Sequence, residues 1–247
     1  MKRIGVLICI CLAVGCVHEP PVPAASTVEL KFNLHWGNEA FEVGGVYTDA
    51  LGHHVRASTF KAYFSEIALV NAEGLETPIS NIEIVDFAEN PVITATIDPG
   101  DYSALRFGLG VPEAWNKDVD PINYESDHPL SAVGAGASMF WFWNTGYIFM
   151  KFDGQTDLSG GDPVDLADPF AFHCGDDFLF QEHNFAKEIS LEYEGTQELI
   201  IDIDVAKFLS SPDDTIDLEV DFLTHTAGNP ELAERFMTLV NDAISLQ

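Results

Sequence analysis

The chain has 247 residues, with 11 lysines and arginines against 40 aspartates and glutamates and a formal net charge of −29. Apolar residues at 47% supply a core and set the chain apart from disordered sequences, while so negative a charge leaves no basic face for nucleic acid or anionic lipid headgroups. One β domain behind a short leader is the expectation for this length, and its charge favours metal cations or basic proteins as partners, or serves plain solubility.

Residues 1–16 read as an export signal. Lys2 and Arg3 open it, and Ile4 to Val14 is an apolar run too short to span a bilayer. The end of that run, Leu12-Ala13-Val14-Gly15-Cys16, looks like a bacterial lipoprotein lipobox, with cleavage before Cys16 and lipid attached there. An ordinary signal peptide with an incidental cysteine is the plainer alternative. The tether over 17–27 contains His18-Glu19-Pro20-Pro21-Val22-Pro23, which stays extended and would hold a domain off a membrane. The expected location is the bacterial cell envelope, periplasmic or at the outer-membrane surface, with the lipid anchor as the sole contact with the membrane. Cleavage removes Cys9 and Cys11 and commits Cys16 to lipid. Cys174 is then alone, and an intramolecular disulfide is excluded.

The folded domain is expected over 28–247. Val28, Leu30, Phe32, Leu34 and Trp36 alternate with polar residues at period two. The same pattern recurs in Leu199-Ile201-Ile203-Val205 and in Ile216-Leu218-Val220-Phe222, with Phe60–Val70 and Ile189–Tyr193 as further strand candidates. Turn residues punctuate them at Asp49–Gly52, Ala72–Gly74, Asp98–Gly100 and Glu194-Gly195. The spacing predicts a mainly β fold, an antiparallel, immunoglobulin-like β-sandwich. A C-terminal helix closes it: Asn229 caps, Pro230 takes the first position, and Leu232, Phe236, Leu239 or Val240 and Ala243 share one face. Two irregular stretches, 112–138 and 153–169, read as long loops, the first a functional loop or an overlay on the sandwich.

Candidate chemistry rests on histidines. His35 lies on the face opposite its strand's apolar stripe and becomes a ligand candidate if that face is covered. His173 and Cys174 are adjacent, so in a strand they point to opposite faces, and Cys174 reads as a small buried hydrophobe. His225 sits where a strand gives way to the helix cap, at the rim of a sheet. Imidazole donors suit copper, zinc or nickel, and scarce thiolate argues against a cysteine-rich site. The acidic loop 157–165 lacks the spacing of an EF-hand and reads as solvated charge. No nucleophile motif, zinc-protease motif, phosphate loop or dinucleotide fingerprint is present, so the chain is expected not to be an enzyme. The run Met139–Phe152 carries aromatic residues on both faces. It reads as a core strand, or as one in which Trp141 or Trp143 lines a metal or redox site.

Taken with its neighbours, that run resembles the MbnP-like family of copper-binding proteins associated with methanobactin operons. The resemblance is carried by Arg106-Phe107-Gly108-Leu109-Gly110-Val111-Pro112, Asn116, His128-Pro129-Leu130, Met139-Phe140-Trp141-Phe142-Trp143-Asn144-Thr145-Gly146-Tyr147, Phe172-His173-Cys174-Gly175 and Thr224-His225. It implies a secreted or lipid-anchored β-sandwich that binds copper through histidines. In some members a di-haem cytochrome c peroxidase-like partner oxidises a tryptophan at the copper site. Carried over by position, His35 and His173 are the implied ligands, with His225 a third and Trp141 and Trp143 the aromatic candidates. This chain departs from the family in having Lys117 after Asn116, no cysteine pairs, and Cys174 between His173 and Gly175. The competing expectations are a surface adhesion module whose histidines are structural, and a hydrolase built on paired carboxylates.

Overall fold

The computed structural model describes residues 25–117, 120–142 and 146–247. The leader, most of the tether, Cys16 and Trp143 therefore lie outside the described residues. Fifteen strands are described: β1 (Ser26–Trp36), β2 (Glu39–Ala40), β3 (Tyr47–Thr48), β4 (His54–Val70), β5 (Glu76–Asp86), β6 (Val92–Ile97), β7 (Gly100–Leu109), β8 (Phe140–Trp141), β9 (Gly146–Tyr147), β10 (Met150–Asp157), β11 (Asp168–Cys174), β12 (Gln181–Leu191), β13 (Thr196–Asp204), β14 (Leu223–Thr224) and β15 (Ile244–Leu246). A short helix, α1 (Glu113–Asn116), and the C-terminal α2 (Pro230–Ala243) accompany them.

Thirteen of these strands form a sandwich of two open sheets, as the alternation predicts, and β8 and β9 pair separately. One runs β15-β13-β1-β2 with β6 also on β1; the other runs β12-β7-β4-β10-β11-β14 with β3 and β5 also on β4. Most pairs are antiparallel, but β1 lies parallel to β13 and β11 parallel to β14, so both sheets are mixed. Inward residues of each sheet meet in one core. Phe32 of the first contacts Phe64 of the second edge-to-face at 5.0 Å. A fully buried aromatic side chain such as Phe64 removes enough apolar surface from water to contribute about 2 kcal/mol.

Helix α2 forms where its cap and apolar face predict. Asn229 accepts from the Leu232 N–H at 3.2 Å, and Pro230 occupies the first turn. Phe236 then stacks on Phe172 at 4.4 Å with planes only 6° apart, so the helix covers the inner face of β11.

Three expectations are corrected. Residues 216–222 are not a strand, because the Asp217 carbonyl accepts from the N–H groups of Val220 and Asp221, and its carboxylate accepts from Glu219 N–H. A turn built by an aspartate displaces the ladder there. Arg235 of α2 then grips the segment through Asp214 and Asp221, leaving Val220 and Phe222 exposed. The aromatic run is not one strand but a β8–β9 hairpin followed by β10. The second long loop is shorter than expected, since β10 and β11 take up both its ends.

The 112–138 stretch is an overlay. Tyr63 and Tyr147 hydroxyls donate to the carbonyls of Pro129 and Leu130 at 2.9 and 2.7 Å, tying it to the sheet beneath. Among the described residues, no helix is long and apolar enough to cross a membrane.

Candidate metal centre

β10 and β11 pair with Lys151 opposite His173 and Asp153 opposite Ala171. Alternation sends Phe152 and Phe172 into the core and sets Lys151, Asp153 and His173 together on the outer face. β14 lies beside β11 with Phe172 level with Thr224, so the next step of that parallel register brings His225 level with His173. The two imidazole centroids are 4.6 Å apart, with planes crossing at 63°.

Thr226 fastens this junction. Its hydroxyl donates to the His173 carbonyl at 3.2 Å and accepts from the Gly175 N–H at 3.0 Å. Gly175 is required for close approach: a Cβ there would lie 2.0 Å from the Tyr147 carbonyl oxygen. The exit of the aromatic hairpin is thus brought into backbone contact two residues from His173. Asn116 holds the same hairpin from the overlay, accepting from Tyr147 N–H at 3.0 Å and donating to Asp177 at 2.8 Å. Trp141 is buried at the hairpin's start.

Around the pair, His173 Nε2 lies 2.7 Å from Asp153 Oδ1, and Lys151 Nζ lies 3.8 Å from Asp153 Oδ2. Burial, and then the neighbouring His173, lower the pKa of His225 and favour its neutral form, the form that ligates metal. A metal–imidazole bond of about 2 Å puts a ring centroid roughly 3 Å from the ion, so two ligands of one ion have centroids at most about 6 Å apart. The observed separation falls inside that reach, and the donor type suits copper. Among the described residues, no three His, Cys, Asp or Glu side chains are grouped so as to hold a metal ion. Among the described residues, the pair therefore offers two imidazole donors.

His35 does not join them. It belongs to the other sheet, where Nδ1 lies 2.7 Å from the Gly37 carbonyl and Nε2 lies 2.9 Å from Asp202 Oδ2. Both partners only accept, so both ring nitrogens must donate, and the ring is an imidazolium with no lone pair for a metal. Burial pulls its pKa down, but the bonds to Asp202 and Gly37 and the charges of Asp202 and Asp204 outweigh that and raise it. Of the three candidates the sequence offered, the structure brings His173 and His225 together and leaves His35 on the other sheet.

Cys174 turns to the opposite face, fully buried against α2, and burial pushes its thiol pKa up, which disfavours the thiolate that would ligate. Sequence reasoning missed Asp153, Lys151 and Thr226. The signal for the first two was their alternation with Phe152. His183 was also passed over: it is buried beside Phe107 and Phe185, and burial lowers its pKa to about 4.

Among solved structures, the chain is similar to MbnP from Methylosinus trichosporium, at 17% identity and a TM-score of 0.49, over 78% of this chain and 80% of that one. No curated protein matches the sequence. The MbnP family model matches residues 25–229, which takes in every described strand but β15, the overlay and both histidines of the pair. The chain belongs to the MbnP family.

Proposed function

We propose that this chain is a copper-binding, non-catalytic lipoprotein of the bacterial envelope, in which His173 and His225 supply the protein's imidazole donors. One observation carries the reading: the two rings lie 4.6 Å apart on the outer face of a sheet, beside a carboxylate. Family membership supports copper as the metal, since the MbnP family is associated with methanobactin-related copper handling. The place of Cu(II) at the top of the divalent series supports it again. The acidic surface raises the local cation concentration without choosing the metal. Cys16 would carry the lipid. A di-haem peroxidase-like partner belongs to the same reading, with Trp141 or Trp143 as the candidate tryptophan for it to oxidise.

The test is metal analysis of protein exposed to copper and then freed of loose ions. Wild type should retain copper, and His173→Ala and His225→Ala should each lose it. Retention by both variants at wild-type stoichiometry and affinity would overturn the assignment.

A further inference from the structure

Asp153 is the carboxylate in hydrogen-bond contact with His173. It sits diagonally across the β10–β11 pair from His173, on the same outer face, where side chains of neighbouring strands interact. Opposite it, β4 carries one extra residue: Asp153 pairs with Thr59 but Gly154 with Ala57. Such a bulge re-aims the side chains beside it. Gly154 permits the arrangement, because a Cβ there would lie 2.2 Å from the Arg56 carbonyl and 2.4 Å from the Phe170 ring.

The Asp153 carboxylate reaches His173 Nε2 at 2.7 Å, with both side chains mostly shielded from water. A carboxylate accepts and does not donate, so Nε2 must carry the proton. In a neutral ring that leaves Nδ1 with the lone pair. The second carboxylate oxygen faces Lys151 at 3.8 Å, which favours a carboxylate that orients the histidine over one that binds metal itself.

We infer that Asp153 is a positioning residue: it fixes His173 in the Nε2–H tautomer, so that Nδ1 is the atom this histidine offers to a metal. The inference rests on the copper reading for its purpose but not for its first test. Carboxylates that hold a ligating imidazole in this way raise metal affinity about 10- to 100-fold.

The first experiment uses metal-free, 15N-labelled protein at pH 8 and reads the ring nitrogen shifts of His173. Wild type should show protonated Nε2 and unprotonated Nδ1. Asp153→Ala should show a mixture of tautomers, and Asp153→Asn, which keeps an acceptor oxygen, should restore most of the wild-type pattern. Protonated Nδ1 in wild type, or an unchanged tautomer in Asp153→Ala, would overturn the inference whatever the metal result. The wild-type spectrum decides the matter even if the alanine variant does not fold. The second experiment titrates copper. Asp153→Ala should bind about 10- to 100-fold more weakly than wild type, with Asp153→Asn in between, and equal affinities of all three would also overturn it. If wild type itself binds no copper, the proposed function fails and the tautomer result still stands or falls alone.

Discussion

The first sheet ends at a histidine with both nitrogens occupied; the second carries one whose ring has a nitrogen to spare. His35 is held between the Gly37 carbonyl and Asp202, and the adjacent Asp204 accepts from Gly37 N–H, so its ring closes the β1–β2 turn. His173, among the described residues, is held by the single acceptor Asp153 and faces a second imidazole. Both histidines lie on strands beside an aspartate, and period-two alternation places both away from the core. What separates them is the number of acceptors the backbone brings to the ring. Two acceptors make a fixed cation that ties chain to chain, and one leaves a lone pair for a metal.

The largest expected effect tests whether the His173–His225 pair depends on the core below it. Phe236 stacks on Phe172, the residue before His173. Phe236→Ala removes a buried aromatic side chain and should cost about 3–5 kcal/mol in urea unfolding. The ring nitrogen shifts of His173 and His225 should move in that variant while those of His35 stay in place. The converse pattern would mean that the pair is not supported by α2.

His183 shows what an imidazole does with aromatic rings on its flanks and, among the described residues, no partner for its buried Nε2. Its pKa falls from 6.5 to about 4 on folding, so between those values the unfolded chain binds the extra proton. Its contribution is therefore present above pH 6.5 and lost as pH falls toward 4, amounting to roughly 3 kcal/mol. His183→Leu should flatten the stability profile over that window. An unchanged acid slope would assign it to other groups.

The comparison is sharpest in metal affinity. His173→Ala should weaken copper binding by at least about a hundredfold, roughly 2.8 kcal/mol, whereas His35→Ala should change it less than about threefold. A large loss in the His35 variant would break the distinction between the two rings.

Much of this was legible in the sequence, and the limit was physical. Alternation in Val28–Trp36 and Leu199–Val205 located two strands, and Asn229-Pro230 located the helix start, because these signals are local. The opposite facing of His173 and Cys174 followed from their adjacency. The partnership of His173 with His225 did not, since it depends on a parallel register between strands about fifty residues apart, which no local pattern encodes. Asp153 was hidden for the same reason, its diagonal reach being set by the pairing of β10 and β11. His35 was misjudged because its strand position announced exposure but not the two acceptors waiting for it. The stripe Ile216–Phe222 misled because alternation cannot register Asp217 building a turn or Arg235 drawing Asp214 and Asp221 together.

The smallest effect is the most direct measure of the charge on His35. Its folded pKa is raised above 6.5, so the stabilisation it lends is fully present below the unfolded value and is lost as pH rises through the folded one. Asp202 sets the other limit. Its pKa is lowered from 3.8, against the effect of burial, by bonds from Asn33 and His35, so its share is present above that value and lost as pH falls. The difference in unfolding free energy between wild type and His35→Ala should therefore be greatest near pH 5 and shrink toward pH 9. Its size should be below about 1 kcal/mol, as for a partly exposed ion pair. A difference that grew with pH instead would mean a neutral ring at His35, hence a lone pair, and would return that histidine to the set of possible metal donors.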